Sequence, residues 1–216
     1  MARTLYDLTA SGDRRFSPYC WRTKLALAHK GLDFDTVATR FTDIVALNDD
    51  PRLTLPVLDD NGARIVDSWA IAEHLEGHYP DAPSLFPDGN AHARFMNNWT
   101  PTIHPPLLRL IVLDVHNALD AEDQAYFRPD REAKFGMTLE AFVEDHDAHI
   151  KGFRAALGPI RETLKSQPFI SGDTPAYADY IPAGAFLWAE AISDCEIVAS
   201  DDPVAAWMQR VKVVLN

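Results

Sequence analysis

Three short stretches carry residue types that could do chemistry, and each also has a plainer reading. Ser17-Pro18-Tyr19-Cys20 has the form of a helix start, with Ser17 as N-cap and Pro18 at the first helical position. At such a mouth the unpaired N–H groups and the positive end of the helix dipole favour a thiolate or another small anion. Capping alone would also explain a serine there. Leu55-Pro56 stands just before a strand, where proline fits only at an edge or after a cis peptide bond. A cis bond would present the backbone of Leu55 to a peptide-like ligand, and this residue pair alone leaves both possibilities open. Asp67-Ser68 opens a helix directly after a strand, so its N–H groups and hydroxyl could hold a carboxylate while the Asp67 side chain meets an ammonium; helix capping is the alternative.

Other groupings point to less. Cys20 occupies the second position of a Cys-x-x-Cys redox pair whose first position is Ser17, which argues against dithiol exchange. A cysteine one turn inside a helix is more often buried and inert, so only a monothiol role is left to it. His74 and His78 are four apart and His146 and His149 three apart, which suits a shared metal. Neither pair has a third ligand in register, and His-Leu-Glu-Gly-His is not the zincin order, so no metal site is expected.

The elements that must position these residues fall into two groups. Thr4 to Leu8 reads as a strand, Thr9 to Arg15 as a polar loop, and Ser17 to Gly31 as a helix with Trp21, Leu25 and Ala28 on one face. Phe34 to Phe41 follows at the spacing of a parallel strand reached through a helical crossover. Leu55 to Leu58 and Ala63 to Val66 flank Asp59-Asp60-Asn61-Gly62 and predict a β-hairpin, and Asp67-Ser68 leads a helix carrying Ile71, Ala72, Leu75 and Tyr79 up to Pro80. Beyond the Pro-, Asp- and Gly-rich stretch 81–90 only helical periods remain. The stripe from Phe135 to Leu164 predicts two long helices broken at Pro159, and Ile181, Ala185, Trp188 and Ile192 predict another helix, with Pro182 in its first turn. The expected organisation is residues 1–80 as an α/β domain, 81–90 as a linker, and 91–216 as an all-helical domain.

Composition limits the partners. The chain has 216 residues, 47% of them hydrophobic, enough for a full core. With 20 Lys and Arg against 32 Asp and Glu, the net charge is −12 and no basic face emerges for nucleic acid or an anionic membrane. No apolar run reaches transmembrane length, and Met1 to Leu5 leads into a strand rather than a signal sequence. With only Cys20 and Cys195, the reading is a reducing, cytoplasmic setting.

Ser17-Pro18-Tyr19-Cys20-Trp21-Arg22-Thr23-Lys24, Leu55-Pro56-Val57-Leu58, Asp67-Ser68, Gly172-Asp173 and Ala178-Asp179-Tyr180 together resemble a cytosolic glutathione transferase over nearly the whole chain. The resemblance implies an α/β plus all-α fold, a thioredoxin-like first domain followed by a helical second one. Ser17 then matches the residue that hydrogen-bonds the sulfur of glutathione, the co-substrate. Leu55 and a cis Pro56 match the backbone clamp on its cysteinyl part, and Asp67 and Ser68 match its γ-glutamyl site. Arg40 and Arg52 are candidates for the glycine carboxylate. The second domain would line a pocket for a small hydrophobic electrophile, with Trp99, His104, Arg109 and Trp188 as possible wall residues, and a homodimer is implied. Segment 17–27 with its preceding loop, Tyr126-Phe127-Arg128 through Phe135-Gly136, and residues 167–173 resemble the etherase-type group, whose bacterial members cleave β-aryl ethers.

The sequence departs from the family pattern twice. Ala176 stands where a Ser or Thr would complete a capping box with Asp179, at a cost of about 1 kcal/mol. Leu53 replaces a glycine common before the cis-proline segment. Two other functions fit the same sequence. The Ser-x-x-Cys-Trp-Arg helix start suggests a glutathione-dependent isomerase of the maleylacetoacetate type, and the same fold could carry hydrophobic ligands without catalysis.

Overall fold

The computed structural model describes residues 3–47 and 54–215. Its first half is built on β1 (Arg3–Ala10), which has three partners. The short β2 (Arg14–Arg15) folds back antiparallel onto Thr9 and Ala10, β3 (Asp35–Thr39) runs parallel along Thr4 to Leu8, and β4 (Val57–Asp60) runs antiparallel along Arg3 to Tyr6. Helix α1 (Pro18–His29) is the crossover between β1 and β3, as the spacing predicts. β4 and β5 (Ala63–Val66) form the hairpin, with both strands paired up to Asp60 and Ala63, so the turn is Asn61-Gly62 alone. Both turn residues take positive φ, 51° and 95°, which Asn and Gly tolerate and which matches strand twist. Helix α2 (Ser68–His78) follows.

The second half is helical: α3 (Ala91–Trp99), α4 (His104–Ala118), α5 (Ala121–Phe135), α6 (Leu139–Phe142), α7 (His146–Ala156), α8 (Gly158–Leu164), α9 (Tyr177–Ile192) and α10 (Pro203–Lys212). The stripe from Phe135 to Leu164 is therefore not two long helices. Its apolar spacing is distributed over the end of α5 and all of α6, α7 and α8. Gly136 ends α5 in the left-handed conformation, Asp145 takes the same conformation as N-cap of α7, and Pro159 is accommodated in the first turn of α8. Phe135 and Phe142 stack at 3.8 Å, so the residues keep a common face although the backbone turns between them. Among the described residues no helix is long and apolar enough to cross a membrane.

One continuous core joins the halves, and α1 lies at its centre between the sheet and α9. Gly184 permits that approach: a Cβ there would sit 2.3 Å from the carbonyl oxygen of Pro18, so only glycine lets the start of α1 rest on α9. The charged side chains drawn into this interface have partners. Lys24 meets the buried carboxylate of Asp7 at 3.0 Å, and the Arg22 guanidinium donates to the carbonyl of Ile181 and to Asn97, each at 3.1 Å. His29 lies 3.0 Å from the carbonyl of Ser84, which can only accept, so its Nε2 carries the proton and Nδ1 accepts from the Tyr180 hydroxyl at 2.6 Å.

Ala176 offers no side-chain cap to α9, as the sequence indicates, and Asp179 accepts from the Ala176 amide at 3.3 Å. The same buried carboxylate also accepts from the amides of Ile170 and Ser171 at 2.7 and 3.1 Å, and from the Trp207 indole at 2.8 Å. Asp179 thus fastens the loop before α9, the start of α9 and α10 at one point.

Candidate active site

A cavity of about 410 Å3 opens between the two halves. Ser17 and Leu55 line it from the sheet side, with Phe16, Phe41 and Ile44, while His104, Leu108, Tyr126, Phe127 and Trp188 line it from the helical side. The sequence places Ser17 as N-cap of α1, and so it stands: extended at ψ 125°, 4% exposed, its Oγ accepting from the Cys20 amide at 3.3 Å. That bond uses a lone pair, so the hydroxyl proton remains available to donate into the cavity. Capping and a role toward a ligand are therefore compatible in the same side chain.

The Leu55–Pro56 peptide bond is cis. The Pro56 carbonyl accepts from the Asp67 amide at 3.2 Å, which sets the Asp67-Ser68 corner beside the Leu55-Pro56 segment. Asp67 takes φ 80°, an unusual conformation for a side-chain-bearing residue, and its Oδ1 caps α2 through the amides of Trp69 and Ala70 at 2.8 and 3.1 Å. Ser68 is buried, and its carbonyl accepts from the Tyr177 hydroxyl at 2.7 Å, so the helical half also holds this corner in place. Ser17 and Leu55 thus share the cavity, and Asp67-Ser68 is joined to the Leu55-Pro56 segment by a backbone bond.

The remaining candidates divide. Arg40, a candidate for a glycine carboxylate, is committed elsewhere: its guanidinium bonds both oxygens of Asp43 at 2.9 Å, Glu122 at 2.9 Å and Asp120 at 3.3 Å. These three carboxylates raise its pKa further and leave no unpaired charge for a ligand. Arg52, like Leu53, lies outside the described residues. His104 and Trp188 are on the cavity wall, edge to face with each other at 6.0 Å, whereas Arg109 packs on Phe142 and Trp99 faces a separate small pocket with Phe95 and Ile160. Burial, and then the charge of Arg22, push the His104 imidazole down to about 4, so it is neutral at pH 7. Cys20 is fully buried, and burial and the Asp7 carboxylate push its thiol far up, which opposes a thiolate there. His74 bonds Asp60 at 2.9 Å and stacks on His78, and His146 lies 3.5 Å from the Cys195 sulfur; no group of three ligating side chains occurs among the described residues.

Sequence reasoning missed how the sheet-side wall is held. Both oxygens of the buried Asp123, in the first turn of α5, accept backbone N–H groups from the loop after β3: Phe41 at 3.0 Å and Thr42 at 2.9 Å. This clamp seats the Phe41 ring against Phe16 and Phe127 at 6.0 and 5.6 Å. Asp120-x-x-Asp123 reads in the sequence only as the first turn of a helix.

Two family models match the chain: the glutathione S-transferase N-terminal domain over residues 13–83 and the glutathione S-transferase C-terminal domain over residues 91–213. The chain belongs to the glutathione S-transferase family. The family's co-substrate is glutathione. A glutathione S-transferase-like protein, ustS, from Aspergillus flavus is 28% identical over 86% of this chain and 78% of its own length. Glutathione transferase GSTFuA2 from Phanerochaete chrysosporium superposes with a TM-score of 0.90 at 25% identity, covering 100% of this chain and 99% of that one. CsGST83044 of Ceriporiopsis subvermispora, whose structure is a complex with glutathione, gives a TM-score of 0.84 at 25% identity over 100% and 98% of the two chains.

Proposed function

We propose that this transferase attacks an electrophilic carbon with the thiolate of glutathione, and that the carbon bears an aryloxy leaving group, as in a β-aryl ether. The observation that carries the reading is that Ser17, at the mouth of α1, shares one cavity with Leu55 and with a wall of Phe16, Phe41, Tyr126, Phe127 and Trp188. A thiolate at Ser17 would therefore face a space shaped for aromatic rings. The complex of CsGST83044 with glutathione supports glutathione as the nucleophile, and the likeness of segments 17–27, 126–136 and 167–173 to the etherase-type group supports the aryl ether.

The chain's residues divide the task. The Ser17 hydroxyl donates to the sulfur and, with the positive end of α1, favours the thiolate of a thiol whose free pKa is about 8.5. Leu55 and Pro56 hold the cysteinyl part through the backbone, and Asp67 and Ser68 take the γ-glutamyl end, where a carboxylate meets the helix start and an ammonium meets Asp67. The thiol proton leaves to solvent, the sulfur forms a bond to carbon, and the carbon–oxygen bond breaks with its electron pair to give a phenolate. The apolar wall positions the aryl group and keeps water from the site. The same reading includes a homodimer, a cytoplasmic setting, and work in aromatic catabolism or detoxification.

The test is phenolate release from a model β-aryl ether ketone, with and without glutathione, by the native protein and by Ser17→Ala. Glutathione-dependent release that collapses in the variant supports both the reaction and the serine. No release by protein that binds glutathione rejects the aryl ether and turns the search to isomerisation, other electrophiles or ligand carriage.

A further inference from the structure

The cavity's charge does not follow the molecule's. The chain carries a net charge of −12, yet among the described residues lining the cavity there is no Asp or Glu, and two, Arg131 and Lys134, are cations. Both belong to the last two turns of α5, three residues apart, and both pair with the same carboxylate, Asp130; Lys134 does so at 2.9 Å. Two cations thus share one carboxylate, and it is the cations that line the cavity. The two partners also differ in freedom. Arg131 lies over the Phe127 ring at 4.7 Å with its side chain 23% exposed, so its guanidinium is held between an aromatic wall and the opening, while the Lys134 side chain is 61% exposed and reaches the rim. The other candidate cation nearby, Arg40, is neutralised by three carboxylates.

We propose that Arg131 and Lys134 form a carboxylate-binding site on the helical wall of the cavity. The proposal rests on the cavity being where glutathione and electrophile meet, and it adds an acidic group to the ligand. Phe127 and Tyr126 flank the cations and Phe41 lies 6.0 Å from the Arg131 guanidinium, so the chemistry that fits is an aromatic ring bearing a carboxylate, with the ring against these side chains and the carboxylate in the planar fork of Arg131. A carboxylate could also reach this site from the glycine end of glutathione. Both sources share the same chemistry, and binding measurements separate them.

Binding is read as quenching of tryptophan fluorescence in the full-length native protein and in the double variant Arg131→Gln, Lys134→Gln, which removes both charges and keeps polar side chains. One arm compares naphthalene-2-carboxylate with the neutral naphthalene-2-methanol, and the other compares glutathione with its glycine monoethyl ester. An electrophile-side site predicts that the double variant loses about tenfold in affinity for the naphthoate and less than twofold for the alcohol, with glutathione unaffected. A glutathione-side site predicts the tenfold loss for glutathione and not for its ester. Either result supports the carboxylate site and assigns its source. Equal losses for charged and neutral members of both pairs, no loss at all, or a native protein that does not distinguish them would overturn it. Because the readout is binding, a protein that fails to release phenolate would refute the proposed reaction without touching this result.

Discussion

The two sides of the cavity are built from different materials. On the sheet side the groups proposed to meet glutathione stand at turning points of the chain: Ser17 at the start of α1, Leu55-Pro56 before β4, Asp67-Ser68 at the start of α2. On the helical side they are long side chains projecting from the middle of helices, such as Phe127, Arg131 and Trp188. A turning point is fixed by local chemistry, so its position and geometry travel with a few adjacent residues. A mid-helix side chain faces the cavity only because of how its helix packs against others far away in sequence. The first side can bind a constant co-substrate, while the second can change its wall without disturbing the first.

The largest expected effect breaks the helical side as a whole. Asp179→Ala would leave four donors without their acceptor, the buried amides of Ile170 and Ala176, the part-buried amide of Ser171 and the buried indole of Trp207. At roughly 1–3 kcal/mol for each unsatisfied group, a loss of about 4 kcal/mol or more is expected in urea unfolding. A loss under about 1 kcal/mol would mean that the loop before α9 is held by something else.

Acid sharpens the same contrast. The folded protein holds His104 neutral down to about pH 4, against an ordinary value of 6.5, so between those limits the unfolded chain binds more protons than the folded one. Stability should therefore fall as pH drops from 6.5 through 4. His104→Leu, on the helical wall, should flatten that slope, whereas Ser17→Ala should leave it unchanged. Equal slopes in native protein and His104→Leu would remove the histidine from this role. His29 is depressed in the same direction by burial and contributes a slope that both variants retain.

A smaller effect tests one place where the sides are tied together, the Asp123 clamp on the loop after β3. Asp123→Asn replaces one of two acceptors with a donor facing the amides of Phe41 and Thr42. The Phe41 wall should loosen, raising KM for the electrophile several-fold while KM for glutathione moves less than twofold. An equal rise in both would show that the loop serves the glutathione rim instead.

How much was legible in the sequence follows the same division. The order of the longer strands and helices in the first half, the Asn61-Gly62 hairpin and the Ser17 cap could be read from local residues, whereas the stretch 9–15, read as a polar loop, holds the end of β1 and the two-residue β2. Ala176 likewise told of the missing side-chain cap. The stripe from Phe135 to Leu164 misled because apolar spacing records a shared buried face, and Gly136 and Asp145 turn the backbone without interrupting it. Arg40 was legible as a candidate for a carboxylate, but its three acidic neighbours include Asp120 and Glu122 at the start of α5, about eighty residues away, and no local pattern brings them together. The clamp by Asp123 was hidden for the same reason.

The central claim is that the Ser17 hydroxyl holds the sulfur of bound glutathione as a thiolate. Its most direct test is the ultraviolet thiolate absorbance of glutathione bound to native protein, Ser17→Ala and Ser17→Thr, titrated with pH. The account predicts a midpoint well below the free-thiol value of about 8.5 in the native protein and in Ser17→Thr, and a return toward that value in Ser17→Ala with glutathione still bound. The same midpoint in Ser17→Ala as in the native protein would contradict it and leave Ser17 as the N-cap of α1 alone.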